Sequence, residues 1–210
     1  MKHYPSSTKR VLSSLVSLLA TLLLLSALDG CDQNPVHRSR VVVIQPLGEF
    51  SVHELDKVQE QIKRLHSQVV VRPSIEIPAT AYYEPRHRYR ADSLIRYLKQ
   101  YGNADMVVIG LISRDISTTK GGIKDWDVMG LGYSPGYACV VSTFRLSRTN
   151  KEDQFYKVAI HELGHTQGLP HCAEKSCYMR DAEGGNPLDE EHDFCKSCKS
   201  FLMDKGWHLP

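Results

Sequence analysis

Twelve residues, "HELGHTQGLPHC", run from His161 to Cys172 and hold three histidines, a glutamate and a cysteine. If the stretch begins as an α-helix, His161 and His165 differ by about 40° around the axis and share one face, a turn apart. Two imidazoles so placed can grip one metal ion. Glu162 projects beside that ion and not onto it, so its carboxylate can take a proton from a water there. A catalytic zinc usually has a third protein ligand and an open position. His171 supplies that ligand if Gly168 adopts positive φ, ends the helix and turns the chain back, with Pro170 stiffening the exit. The competing reading is a histidine-rich polar helix on the surface. The apolar approach "FYKVAI" opposes it, because it makes the helix a packed one.

The motif runs straight into a second cluster. Cys172 and Cys177 are separated by four residues, Cys195 and Cys198 by two. Two close pairs divided by a loop read as a four-cysteine structural zinc site, which would pin the segment after the helix. The same four thiols would form disulfides in an oxidising compartment, and the sequence leaves both readings open. A zinc ribbon that binds nucleic acid is a third reading. Cys139 stands alone in an apolar segment and reads as a buried core thiol.

The elements that must position these groups follow from periodicity. "RVVVIQPLG" and "ADMVVIGLIS" read as buried strands, and "QVVVRPSIEI" as a further strand. Val52, Leu55, Val58, Ile62 and Leu65 recur at helical spacing. "ADSLIRYLKQYG" reads as a helix closed by Gly102. "PATAYYEPRHRYR" reads as a loop whose aromatic and basic groups either meet a substrate carboxylate or serve packing, and "RDISTTKGGIKDWD" as turn-rich and irregular. "VMGLGYSPGYACVVSTFRL" reads as a hairpin around "SPG". The histidine helix runs from about Asn150 to Gly168, a loop continues to about residue 195, and "KSFLMDKGW" is a short last helix. Strands alternating with helices predict an α/β fold with a mixed sheet, and the hairpin adds an antiparallel edge.

The N-terminus reads as a leader. Lys2, Lys9 and Arg10 precede a long uncharged apolar run, and Leu28, Asp29 and Gly30 lead to Cys31. Leu28 and Gly30 before Cys31 resemble a bacterial lipoprotein signal, in which that cysteine is lipidated, although Asp29 is unusual at its position. An uncleaved anchor or plain secretion are the alternatives. Asp32 weakly resembles an inner-membrane retention signal. The division expected is a signal at 1–30, a short linker at 31–39 and one domain at 40–210. Without the leader, the 26 basic and 24 acidic residues fall to 23 of each, a formally neutral chain. Neutral charge and export both oppose a nucleic-acid partner.

The string H-E-x-x-H-x-x-G-x-x-H is the metzincin signature. Extended to "HELGHTQGLPHCAEKSCYM", with "CKSC" downstream, it resembles the archaemetzincins. The resemblance covers nearly all of residues 40–205, including "RYRADSLI" and "ACVVSTFRL"; the leader is no part of the usual pattern. It implies a metzincin-like twisted mixed sheet on two or three helices and a zinc metallopeptidase with two zinc ions per chain. His161, His165 and His171 would hold the catalytic ion, with Glu162 as general base and acid. Cys172, Cys177, Cys195 and Cys198 would hold the structural ion. Met179 would be the methionine beneath the metal site, with Met203 as the weaker competitor and simple core packing as the alternative. The substrate would be a peptide or protein and the chain a monomer; the leader, a departure from the family, would hold it outside the cytoplasm through Cys31. "VMGLGY" would be an edge strand above the cleft, able to pair with an extended peptide. A lipoprotein that binds peptide or metal with little hydrolysis is the alternative function.

Overall fold

A computed structural model describes residues 39–210. The leader, Cys31, Asp32 and most of the linker lie outside the described residues. Strand β1 (Val41–Leu47) leads into helix α1 (Val52–Leu65) and a short strand β2 (Val69–Val71). Strands β3 (Tyr82–Tyr83) and β4 (Arg88–Arg90) precede helix α2 (Ala91–Leu98). Strands β5 (Met106–Ile112), β6 (Ile116–Lys120), β7 (Ile123–Val128), β8 (Gly130–Gly132) and β9 (Ala138–Ser142) follow, then helices α3 (Lys151–Gln167) and α4 (Lys196–Met203).

The main sheet has the order β2-β1-β5-β9-β8. β2, β1, β5 and β9 run parallel, and β8 closes one edge antiparallel to β9. Side chains alternate across the central strands, as a strand requires. Val42, Ile44, Val107, Ile109, Leu111, Cys139 and Val141 face α1 and α3. Val43, Leu47, Val108, Ile112, Ala138 and Val140 face Leu94, Ile95 and Leu98 of α2. The sheet is therefore covered on both faces, which explains why its strands read as unbroken apolar runs.

Ser51 caps α1, its hydroxyl accepting the Glu54 N–H at 3.3 Å. Val58 and Ile62 are buried against the sheet, whereas Val52, at the helix start, is 69% exposed and takes no part in the core. The strand expected over "QVVVRPSIEI" stops at Val71, since Pro73 has no N–H to give a ladder. Only an isolated bridge, Leu47 to Ile75, continues it.

The expectation of irregular chain over "RDISTTKGGIKDWD" is corrected. It forms the β6–β7 hairpin around Gly121 and Gly122, in a second sheet ordered β3-β4-β6-β7. Two glycines suit such a tight connection. Ion pairs stand in for apolar alternation here. Arg88, 4% exposed, donates to Asp125 and Asp127 of β7, and Arg145 forks onto Asp115 with two bonds of 2.7 Å. Two basic groups of "YYEPRHRYR" thus serve packing, since Arg88 and Arg90 both bond into this sheet.

The long segment after α3 is tied to that helix by polar groups. Lys157 Nζ donates to the Leu188 carbonyl at 2.9 Å, and Gln154 and Asn150 donate to Asp189. Glu191 is buried here with one carboxylate oxygen unpartnered. Burial pushes its pKa up to about 7 against the opposing pull of Lys157 and Arg180. The unfolded pKa is near 4.3, so between those values the folded state holds a proton that the unfolded state has lost. Stability therefore falls as pH rises from about 4.3 to 7 and stays reduced above. Glu191→Gln is expected to stabilise the fold at pH 8 by on the order of 2 kcal/mol and hardly at all at pH 4.5. Urea unfolding at the two pH values checks this; equal effects would contradict it.

Candidate active site and metal centres

Helix α3 is buried for most of its length against the main sheet, through Phe155, Val158, Ala159, Ile160 and Leu163. That packing fixes its rotation, and so the direction of the histidines. Its end is closed by Gly168 at φ 105°. The Leu169 N–H reaches the Gly164 carbonyl at 3.1 Å and the Gly168 N–H that of His165 at 2.9 Å. This pair of bonds is the Schellman ending that a left-handed glycine allows. The chain reverses there and brings His171 back beside the helix, as the spacing predicts.

The three imidazoles converge, with possible ligand nitrogens within 4.8 Å of one another. His161 Nδ1 lies 2.7 Å from the Tyr178 carbonyl and His165 Nδ1 2.8 Å from that of Leu169. A carbonyl only accepts, so each Nδ1 carries the proton and each Nε2 keeps its lone pair. Those two Nε2 atoms face each other at 3.0 Å. Two acceptors at that distance repel unless a cation lies between them. Tetrahedral zinc at its usual bond length would set two nitrogens about 3.3 Å apart, so the arrangement fits a zinc ion. Burial, then the neighbouring His165, pulls the His161 pKa down to about 3. The ring is thus neutral, the form a metal needs.

The Glu162 side chain lies against Gly130 and Gly132 of β8. Burial pushes its pKa up to about 8, opposed by a hydrogen bond from the Gly132 N–H. A Cβ on Gly130 would lie 2.6 Å from Glu162 Cγ, and one on Gly132 would lie 2.7 Å from the Glu162 carbonyl oxygen. Only glycine lets the edge strand come this close, a common reason for glycine within a strand. Gly130→Ala is expected to displace the carboxylate and cut turnover at least tenfold while costing about 1–3 kcal/mol in stability. Steady-state kinetics beside a melting curve check this; an active, unshifted variant would contradict it.

Met179 is fully buried beneath the histidine-bearing turn. A Cβ on Gly164, between His161 and His165, would meet its sulfur at 2.6 Å. Met203 is 53% exposed and leaves the comparison.

The four cysteine sulfurs also lie within 4.8 Å of one another. Cys172, Cys177, Cys195 and Cys198 are free thiols. The Cys172 and Cys195 sulfurs are 3.7 Å apart. A disulfide needs about 2.05 Å, whereas two sulfurs of a tetrahedral zinc–thiolate site stand about 3.8 Å apart. The donor set and its spacing fit zinc. Cys139 is buried in the sheet, as its apolar neighbours imply.

The profile described as Peptidase family M54 matches residues 44–204. The chain belongs to that family. An archaemetzincin from Halobacterium salinarum is 30% identical over 176 residues, covering 77% of this chain and 99% of the relative. Among solved structures, the archaemetzincin of Archaeoglobus fulgidus, determined with malonate, is 27% identical. It superposes with a TM-score of 0.66 over 76% of this chain and 98% of its own. That of Methanopyrus kandleri is 26% identical with a TM-score of 0.67, over 79% and 96%. This M54 member is therefore a zinc metallopeptidase of the archaemetzincin type, as its motif led one to expect.

Two features of the M54 site were not visible in the sequence. Asp181 Oδ2 stands 3.2 Å from His171 Nδ1, a neighbour that no motif spacing announces. The contact of Gly130 and Gly132 with Glu162 was signalled only by a pair of glycines within a strand.

Proposed function

We propose that His161, His165 and His171 hold the catalytic zinc ion, that Glu162 is the general base and acid of peptide hydrolysis, and that the four cysteines hold a second, structural zinc ion. The observation that carries this reading is the pair of Nε2 lone pairs facing each other beside a buried carboxylate. When bound, the catalytic ion would supply a Lewis acid that polarises both a water and the scissile carbonyl. Glu162, adjacent to the ligands and not among them, would accept the water's proton on a carboxylate oxygen and later hand it to the leaving amine. The bond from the Gly132 N–H keeps the group aimed.

The extended substrate would pair with β8, whose outer edge is unpaired in the main sheet and whose glycines touch Glu162. The leader supports export and anchoring through a lipidated Cys31, outside the cytoplasm. The neutral charge of the chain beyond the leader argues against nucleic acid as a partner, and we take the working form to be a monomer.

The test is an unbiased peptide library incubated with the full chain, with the chelated protein and with the chelated protein given zinc again. Cuts that vanish with chelation and return with zinc are expected, and their flanking residues read out the pocket. Bound zinc with no cut in any sample would instead favour a binding lipoprotein.

A further inference from the structure

His171 differs from the other two histidines. It is outside α3, its side chain is 44% exposed, and it has a carboxylate at Nδ1 where the others have a backbone carbonyl. That carboxylate is itself held from two sides. Asp181 Oδ1 accepts the Glu183 N–H at 2.9 Å and lies 3.7 Å from Lys120 Nζ, at the end of β6. The turn that offers the Glu183 N–H is left-handed at both Glu183 (φ 48°) and Gly184 (φ 85°). It sits flush on Trp126 of β7: a Cβ on Gly184 would be 2.9 Å from Trp126 Cζ2. Lys120 covers the same indole, its ammonium 5.5 Å from the ring centroid. The hairpin that carries both residues is rooted by Arg88 on Asp125 and Asp127.

We infer that Asp181 is the positioning residue of the third metal ligand and that the β6–β7 hairpin clamps it through Lys120 and Trp126. The inference rests on the three-histidine reading of the site. A carboxylate this close to Nδ1 favours the tautomer with its proton there, which leaves Nε2 free for the metal and makes the ring a better donor. A loop histidine needs this most, because no helix holds it, and ordering it only when metal arrives would cost affinity. The second sheet thus serves the metal centre of the first.

Cobalt titration of the metal-stripped full-length protein tests this. The two sites report separately, since thiolate-to-cobalt charge-transfer bands mark the cysteine site and weaker d–d bands mark the histidine site. Asp181→Ala is expected to weaken cobalt at the histidines by about 10–100-fold, with the cysteine bands unchanged as a control on folding. Asp181→Asn keeps an acceptor oxygen and is expected to recover most of the loss. Lys120→Met retains cover over Trp126 without the charge and is expected to weaken the same site severalfold. Wild-type affinity in Asp181→Ala, or an asparagine variant no better than alanine, would overturn the inference. Wild-type protein that takes no cobalt at the histidines would overturn the reading of the site itself, so the two failures are distinguishable.

Discussion

Glu162→Gln is expected to lower peptide cleavage by about 10²–10⁴-fold with the bound zinc unchanged. The amide keeps the shape that Gly130 and Gly132 press against and can still accept the Gly132 N–H. It cannot accept a proton. Burial, against the opposing Gly132 hydrogen bond, raises the carboxyl to about 8, a value at which the group would be mostly protonated near neutrality. A dication beside it draws the pKa back down, because an opposite charge favours the carboxylate. Bound metal would therefore favour the base form of Glu162. Turnover measured beside zinc content checks the prediction. Loss of zinc in the variant, or retained turnover, would contradict it.

Cys177→Ser is expected to lower the melting temperature by about 6–12 °C, the shift that a loss of roughly 3 kcal/mol produces in a chain of this size. Binding at a four-thiolate zinc site is coupled to folding, so, if Cys177 is one of the proposed ligands, its loss removes stability directly. Cys177 is fully buried, and its sulfur accepts the N–H groups of Met179 at 3.5 Å and Cys195 at 3.3 Å. The next residue, Tyr178, gives the carbonyl that orients His161, and Met179 underlies the helix turn. The variant should therefore also bind the catalytic metal more weakly. Differential scanning calorimetry on wild type, variant and chelated wild type checks this. Chelation should lower the wild-type transition and a reductant should not. The opposite pattern would mean disulfides.

Much of this site could be read in the sequence because its spacing is local. His161 and His165 are one turn apart, Gly168 marks the reversal and His171 follows three residues later, so helix geometry alone brings them together. The central strands were legible for a similar reason: burial on both faces leaves continuous apolar runs such as "VVVI". The second sheet was not. Thr118, Thr119, Asp125 and Asp127 give β6 and β7 a polar composition, and what holds them is Arg88 and Arg145, which lie far away in sequence. No periodicity encodes an ion pair across 37 residues. The role of Asp181 is hidden from the sequence on the same ground. Its meeting with His171 depends on a turn seated on Trp126, a tertiary contact that local pattern does not carry.

The most direct measurement is anomalous diffraction at the zinc edge from crystals of the purified protein. Two peaks are predicted, one among His161, His165 and His171 and one among Cys172, Cys177, Cys195 and Cys198. A single peak at the cysteines, with none between the histidines in a fully active preparation, would contradict the assignment of catalysis to α3.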